Sequence, residues 1–96
     1  MNKDNFKKVL DQIEQHPETW DQDIWHSPCG TQHCFAGWAE ILAGHEQSLD
    51  HFTVQKHAID YLAIHLDEAD WLFDADRTLA DFRDVLENGF PADLYP

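Results

Sequence analysis

The sequence predicts a single all-α domain, a compact bundle of four to five short helices around a buried central helix. Three observations predict it. Apolar residues recur at i, i+3, i+4 and i+7 in several separate stretches, the spacing that gathers them on one side of a helix. Good capping residues and turn residues fall between those stretches. One stretch, residues 32–43, is apolar on almost every side, as a helix enclosed by others must be. The chain's 96 residues suit one domain and not two. With 43% hydrophobic residues and four Trp there is material for a core, so the high net charge does not signal disorder.

The first helix is expected over residues 4–15, with Phe6, Val9, Leu10 and Ile13 on its inner side and Lys7, Lys8, Asp11 and Glu14 outside. Pro17 ends it, because a residue preceding proline avoids the helical region. Residues 18–25 are short and aromatic, a single turn or an irregular piece draped over the core. Ser27, Pro28, Cys29 and Gly30 have the composition of a turn. Thr31 is the expected cap of the central helix, residues 32–43, and Gly44 its stop. Gly37, inside that helix, costs about 1 kcal/mol relative to Ala, which implies the close approach of a neighbouring backbone or a Trp ring.

After a polar loop at residues 45–52, Thr53 is the expected cap of a third helix reaching Leu66, with Val54, Ala58, Tyr61 and Leu62 inward and His65 close to the same side. A short fourth helix opens at Asp67 and ends near Phe73; Asp67 and Asp70 suit the positive end of its dipole. Thr78 caps a fifth, with Leu79, Phe82, Val85 and Leu86 inward, and Asn88 with Gly89 ends it. Residues 90–96 are expected to extend against the body. There is no repeat and no linker.

Charge excludes one function class. Six Lys and Arg stand against nineteen Asp and Glu, for a net −13. Such a surface repels nucleic-acid phosphates, whose neutralisation takes clustered Lys and Arg. Seven His would carry the charge to −6 if all took a proton, and a solvated, histidine-rich surface is the expectation for them. No stretch approaches the ~20 apolar residues of a membrane span. The amino terminus lacks the apolar core of a secretory signal, so a cytoplasmic setting with reduced cysteines is expected.

The run Trp25, His26, Ser27, Pro28, Cys29, Gly30, Thr31, Gln32, His33, Cys34, Phe35, Ala36, Gly37, Trp38, Ala39, together with His16, Pro17, Glu18, Thr19, Trp20, with Glu68, Ala69, Asp70, Trp71, Leu72, Phe73 and with Thr78, Leu79, resembles a group of small uncharacterised proteins of bacteria and their phages. These share a Cys-Gly-Thr-x-x-Cys-x-Ala-Gly-x-Ala core. The resemblance covers most of the chain. It implies a small helical domain and brings no activity, cofactor or site residue with it.

Two regions hold candidate chemistry. His26, Cys29 and Cys34 are residue types that ligate zinc, and His26 and Cys29 have suitable spacing. His33 and Cys34 are neighbours about 100° apart on a helix, so both cannot readily reach one ion. A disulfide between Cys29 and Cys34 is a further alternative, and so is a nucleophilic Cys34 whose thiol is lowered by the helix dipole beside His33. The plain alternative is a core thiol at Cys34 and a small turn residue at Cys29.

The second region runs from Asp67 to Glu87 and holds eight carboxylates against Arg77 and Arg83. It is not a calcium loop, for which Leu79 and Val85 stand where Gly and Glu are needed. In structural terms it is a solvated helix surface with i, i+4 pairs of Arg77 with Asp81 and Arg83 with Glu87. In functional terms Asp67, Glu68, Asp70, Trp71, Asp74, Asp76, Asp81 and Asp84 form a partner surface that attracts a basic protein. Trp71 and Phe73 flank Leu72 on a helix too short to bury all three, so one aromatic is a candidate anchor.

The expectation is thus a non-enzymatic protein-interaction module without cofactor. It would bind a basic protein, with a phage-type or nucleic-acid-mimicking inhibitor as its sharper form. It would bind neither nucleic acid nor membrane. A zinc or thiol protein centred on residues 29–34 is the alternative.

Overall fold

Helix α1 (Lys3–Gln15) forms where the periodicity places it, and buries Phe6, Val9, Leu10 and Ile13. Asn2 caps it: its side-chain oxygen accepts from the Asn5 amide at 3.0 Å. The coordinates, a computed structural model, describe residues 1–94.

Beyond α1 the chain makes one 3-10 turn, Pro17–Thr19, and then runs irregularly to residue 34. This segment is tied down by its own backbone. His33 N donates to Thr19 O at 2.9 Å, Asp21 N to His33 O at 3.0 Å and Cys34 N to Ile24 O at 2.7 Å. Gln22, buried, does the rest. Its Oε1 accepts from Phe35 N at 3.1 Å, while its Nε2 donates to Leu72 O at 3.3 Å and Asp74 O at 3.1 Å. One amide thereby joins the irregular segment to two helices, and no buried side-chain nitrogen or oxygen among the described residues is left unpaired.

The central helix is shorter than its sequence suggests. Helix α2 is Phe35–Leu42 and its cap is Cys34, whose sulfur accepts from Gly37 N at 3.4 Å. Thr31 does not cap it, because His33 is extended and bridges both Trp20 and His26. The buried, central role holds. Phe35 packs on Phe6 of α1 with ring centroids 4.8 Å apart, and on Phe82 at 4.5 Å.

Helix α3 is His51–Leu62, capped by Asp50 rather than Thr53. The Asp50 carboxylate takes both the Phe52 amide (3.3 Å) and the Thr53 hydroxyl (2.9 Å), so Thr53 acts as a donor inside the first turn. The helix stops at Ala63, which turns left-handed at φ 53°. His65 then stands outside α3, exposed, just ahead of α4 (Leu66–Leu72).

Helix α5 (Leu79–Asn88) begins and ends as expected, with Thr78 accepting from Asp81 N and Gly89 at φ 86°. A 3-10 turn, Ala92–Leu94, follows; the remainder of the expected extended tail, Tyr95 and Pro96, lies outside the described residues. Phe6, Phe35, Phe82, Ile13, Leu62 and Leu72 are the largest buried apolar side chains. No strand occurs among the described residues, and no helix there is long and apolar enough to cross a membrane.

Candidate functional site

Glu40 is the only charged residue of α2, and it is fully buried. An unpaired carboxylate there would be prohibitive, and the fold surrounds it with donors. Oε1 accepts from His26 Nε2 at 2.7 Å and Ser48 N at 2.8 Å. Oε2 accepts from Ser48 Oγ at 2.6 Å and His57 Nδ1 at 2.7 Å. Burial alone would raise the Glu40 pKa, but the bonds from Ser48, His26 and His57 outweigh it and hold the carboxyl down at about 2.

An ionised carboxylate only accepts, so both imidazoles must donate to it, which fixes His26 with a proton on Nε2 and His57 with one on Nδ1. Each of these histidines carries a second one. His26 Nδ1 lies 2.8 Å from His33 Nδ1, so a single proton bridges them. His45 lies flat on His57, with centroids 3.5 Å apart and planes 5° from parallel. His33 is buried, and that burial, then the neighbouring His26, lowers its pKa. Four of the seven histidines thus gather around one carboxylate instead of decorating the surface. The signal was in the sequence. A lone Glu in an otherwise apolar buried helix requires donors, and the chain is rich in histidine.

Beside this cluster, the 24–30 and 47–49 loops wall a cleft of about 490 Å³. Cys29 sits on it, exposed, with Thr31 Oγ1 at 3.0 Å and Ser27 Oγ at 3.5 Å. Those hydroxyls, Thr31 first, favour the thiolate and bring the Cys29 pKa down to about 7. Cys34 is the opposite. Burial pushes its thiol up to about 12, overriding the helix end that was expected to lower it. The reactive-thiol expectation therefore moves from Cys34 to Cys29.

The zinc alternative does not assemble. Both ring nitrogens of His26 are engaged, by Glu40 and His33. Cys34 is buried and turned to the α2 amides, while Cys29 faces solvent. Among the described residues no three His, Cys, Asp or Glu are placed to hold a metal ion. Both cysteines are free thiols.

The acidic segment is partly as expected. Asp67, Asp70, Asp74, Asp76 and Asp84 are exposed. Glu68 is not part of that surface: it is buried, and its Oε1 accepts from His65 N at 2.8 Å at the start of α4. Asp81, half-buried, accepts from Thr78 N and Oγ1 at 2.9 and 3.2 Å and so serves the cap of α5. The expected i, i+4 pairs do not form. Arg77 stacks over Trp71 at 4.1 Å and donates from Nε to Trp71 O, while Arg83 reaches Glu14 of α1 at 3.0 Å. Trp71 is half-buried between Arg77 and Phe90, and Phe73 is buried. Neither aromatic is left as an open anchor.

No family model, no curated protein and no solved structure matches the chain.

Proposed function

We propose that this chain is a small acidic interaction module that binds a basic protein surface through residues 67–84. One observation carries the reading: five carboxylates of that segment are exposed, while its two arginines are spent on Trp71 and on Glu14. Arg77 keeps its charge but pairs with no carboxylate among the described residues, and Arg83 is matched by Glu14. The five exposed carboxylates therefore leave the local field net negative, and such a field steers association and selects basic partners. Surfaces that otherwise hold nucleic-acid phosphates belong to the same partner class, and inhibition of such a protein is the sharper form of the proposal. The mode is binding, without a chemical step and without a cofactor.

The test uses an arginine-rich peptide as probe. Its affinity for the intact protein is expected to fall about tenfold or more as salt rises from low to physiological levels, since charges screened beyond ~8 Å stop contributing. A D70N/D74N/D76N variant is expected to lose most of that affinity, whereas D4N/D11N, with exposed or half-exposed carboxylates on α1, keeps most of it. Equal losses in both variants would refute a defined surface.

A second reading rests on Cys29. An exposed thiol held down to about 7, at the edge of a cleft, has the properties of a reactive cysteine. Iodoacetamide is expected to modify Cys29 with a rate profile centred near pH 7, and to leave Cys34 untouched until the protein unfolds. In a T31V variant the midpoint moves towards the ordinary value of 9.0. A wild-type midpoint already there would remove this reading.

A further inference from the structure

We infer that the loop between α2 and α3, residues 44–50, is an acid-opened flap over the Cys29 cleft, held shut by Glu40 and by the stacked pair of His45 and His57.

The loop has few attachments, and most of them converge on one group. Ser48 gives Glu40 both its amide and its hydroxyl, at 2.8 and 2.6 Å. His45 N bonds the Glu40 backbone carbonyl at 3.2 Å, and Gln47 Nε2 reaches Gly30 O at 3.3 Å across the cleft. The His45 ring rests on His57. Apolar anchoring is lacking: Leu49 is fully exposed. At the other end stands Gly44, at φ 92° with no atom near the position of a Cβ, a free pivot.

Proton counting then sets the direction. His57 Nδ1 is committed to Glu40, so one added proton on His57 makes an imidazolium that Glu40 neutralises. A neutral His45 stacks well on that cation. A second proton, on His45, places two like charges face to face at 3.5 Å, and the single carboxylate is already shared with His26 on its other side. His57 is fixed on α3. His45 is exposed on the loop, so it is the ring that leaves, and Ser48 leaves with it.

The other charged groups do not cancel this. His33 lies behind His26, 2.8 Å away, and adds positive charge on acidification. Lys56 on α3 is taken by Asp60 at 3.1 Å. Asp50 is occupied with the α3 amide and hydroxyl donors, and Glu46 and His51 are exposed. Opening swings Gln47, Ser48 and Leu49 off the cleft they wall.

Hydrogen exchange, corrected for the intrinsic rate at each pH, tests this in the full chain. From about pH 7.5 to about pH 5, protection at Ser48 is expected to fall about tenfold or more, clearly more than at Val9 and Val85, whose protection follows the global stability. In the H45F variant the ring still stacks but takes no proton, and the pH dependence at Ser48 flattens. Protection at Ser48 that does not change with pH would overturn the proposal. So would a fall shared equally by Val9 and Val85, or an undiminished pH dependence in H45F.

Discussion

Glu40→Gln is expected to destabilise the protein by about 3 kcal/mol at neutral pH, the lower end for breaking a buried charge network. For a domain of this size that is a fall in Tm of about 15 °C. The carboxylate receives four donors, two on each oxygen. A carboxamide offers one oxygen, and its NH2 points donor at donor on the other side, so at least one of His26, His57 and Ser48 is left buried without an acceptor. Glu40→Leu removes every acceptor and is expected to cost more. The pH profile carries a signature of its own. Because the folded-state pKa of Glu40 lies below its ordinary 4.5, its contribution is fully present above 4.5 and is lost as pH falls towards about 2. His33, also depressed, contributes stability that is complete above 6.5 and declines as pH drops below that. The Gln variant should keep the decline below 6.5 and lose the one between 4.5 and 2. Thermal melts across this range check both, and a variant as stable as the parent at pH 7 would contradict the network's role.

Gly37→Ala is expected to cost about 3 kcal/mol, the upper end for overpacking a core, although Ala is the better helix former by about 1. A Cβ at residue 37 would stand 2.0 Å from the Trp25 carbonyl oxygen and 3.1 Å from His33 Cβ. The first neighbour is backbone, fixed by the bonds that bind residues 19–34 together, so relief means lifting that whole segment off α2. Gly37 does not have a positive φ; the loss comes from contact and not from backbone strain. The displaced segment carries His26 and His33, so the variant should also show weaker protection at Ser48. A denaturant melt gives the stability, and a Gly37→Ala protein equal to the parent would contradict the close approach of the Trp25 carbonyl to α2.

What the sequence conveyed was periodicity and punctuation. α1 and α5 were legible because their apolar residues repeat cleanly and because Pro17, Thr78 and Gly89 mark their ends. The need for close approach at Gly37 was legible too, since a glycine inside a buried helix otherwise only costs stability. The start of α2 was not. Thr31 is a good cap by type and Cys34 a poor one, but the extended pairing of His33 with Trp20 and His26 is a long-range matter that propensity does not encode. The cap of α3 shifted because Asp50 competes with Thr53 and wins both donors. At the candidate sites the gap has the same origin. Residue type named Cys29, Cys34 and His26, but only burial separates a thiol held near 7 from one pushed to about 12. The acidic segment was readable as composition, and its pairing was not. Arg77 and Arg83 found an indole and another helix in place of their i+4 carboxylates.

The most direct measurement of the proposed contact surface is a series of amide proton–nitrogen spectra recorded while an arginine-rich peptide is added to the intact protein. If residues 67–84 are that surface, the shifts concentrate at Asp67, Asp70, Asp74, Asp76 and Asp84 and saturate together, and they disappear when salt is raised. Shifts spread evenly over every acidic position, or centred on α1 or the Cys29 cleft, would contradict it.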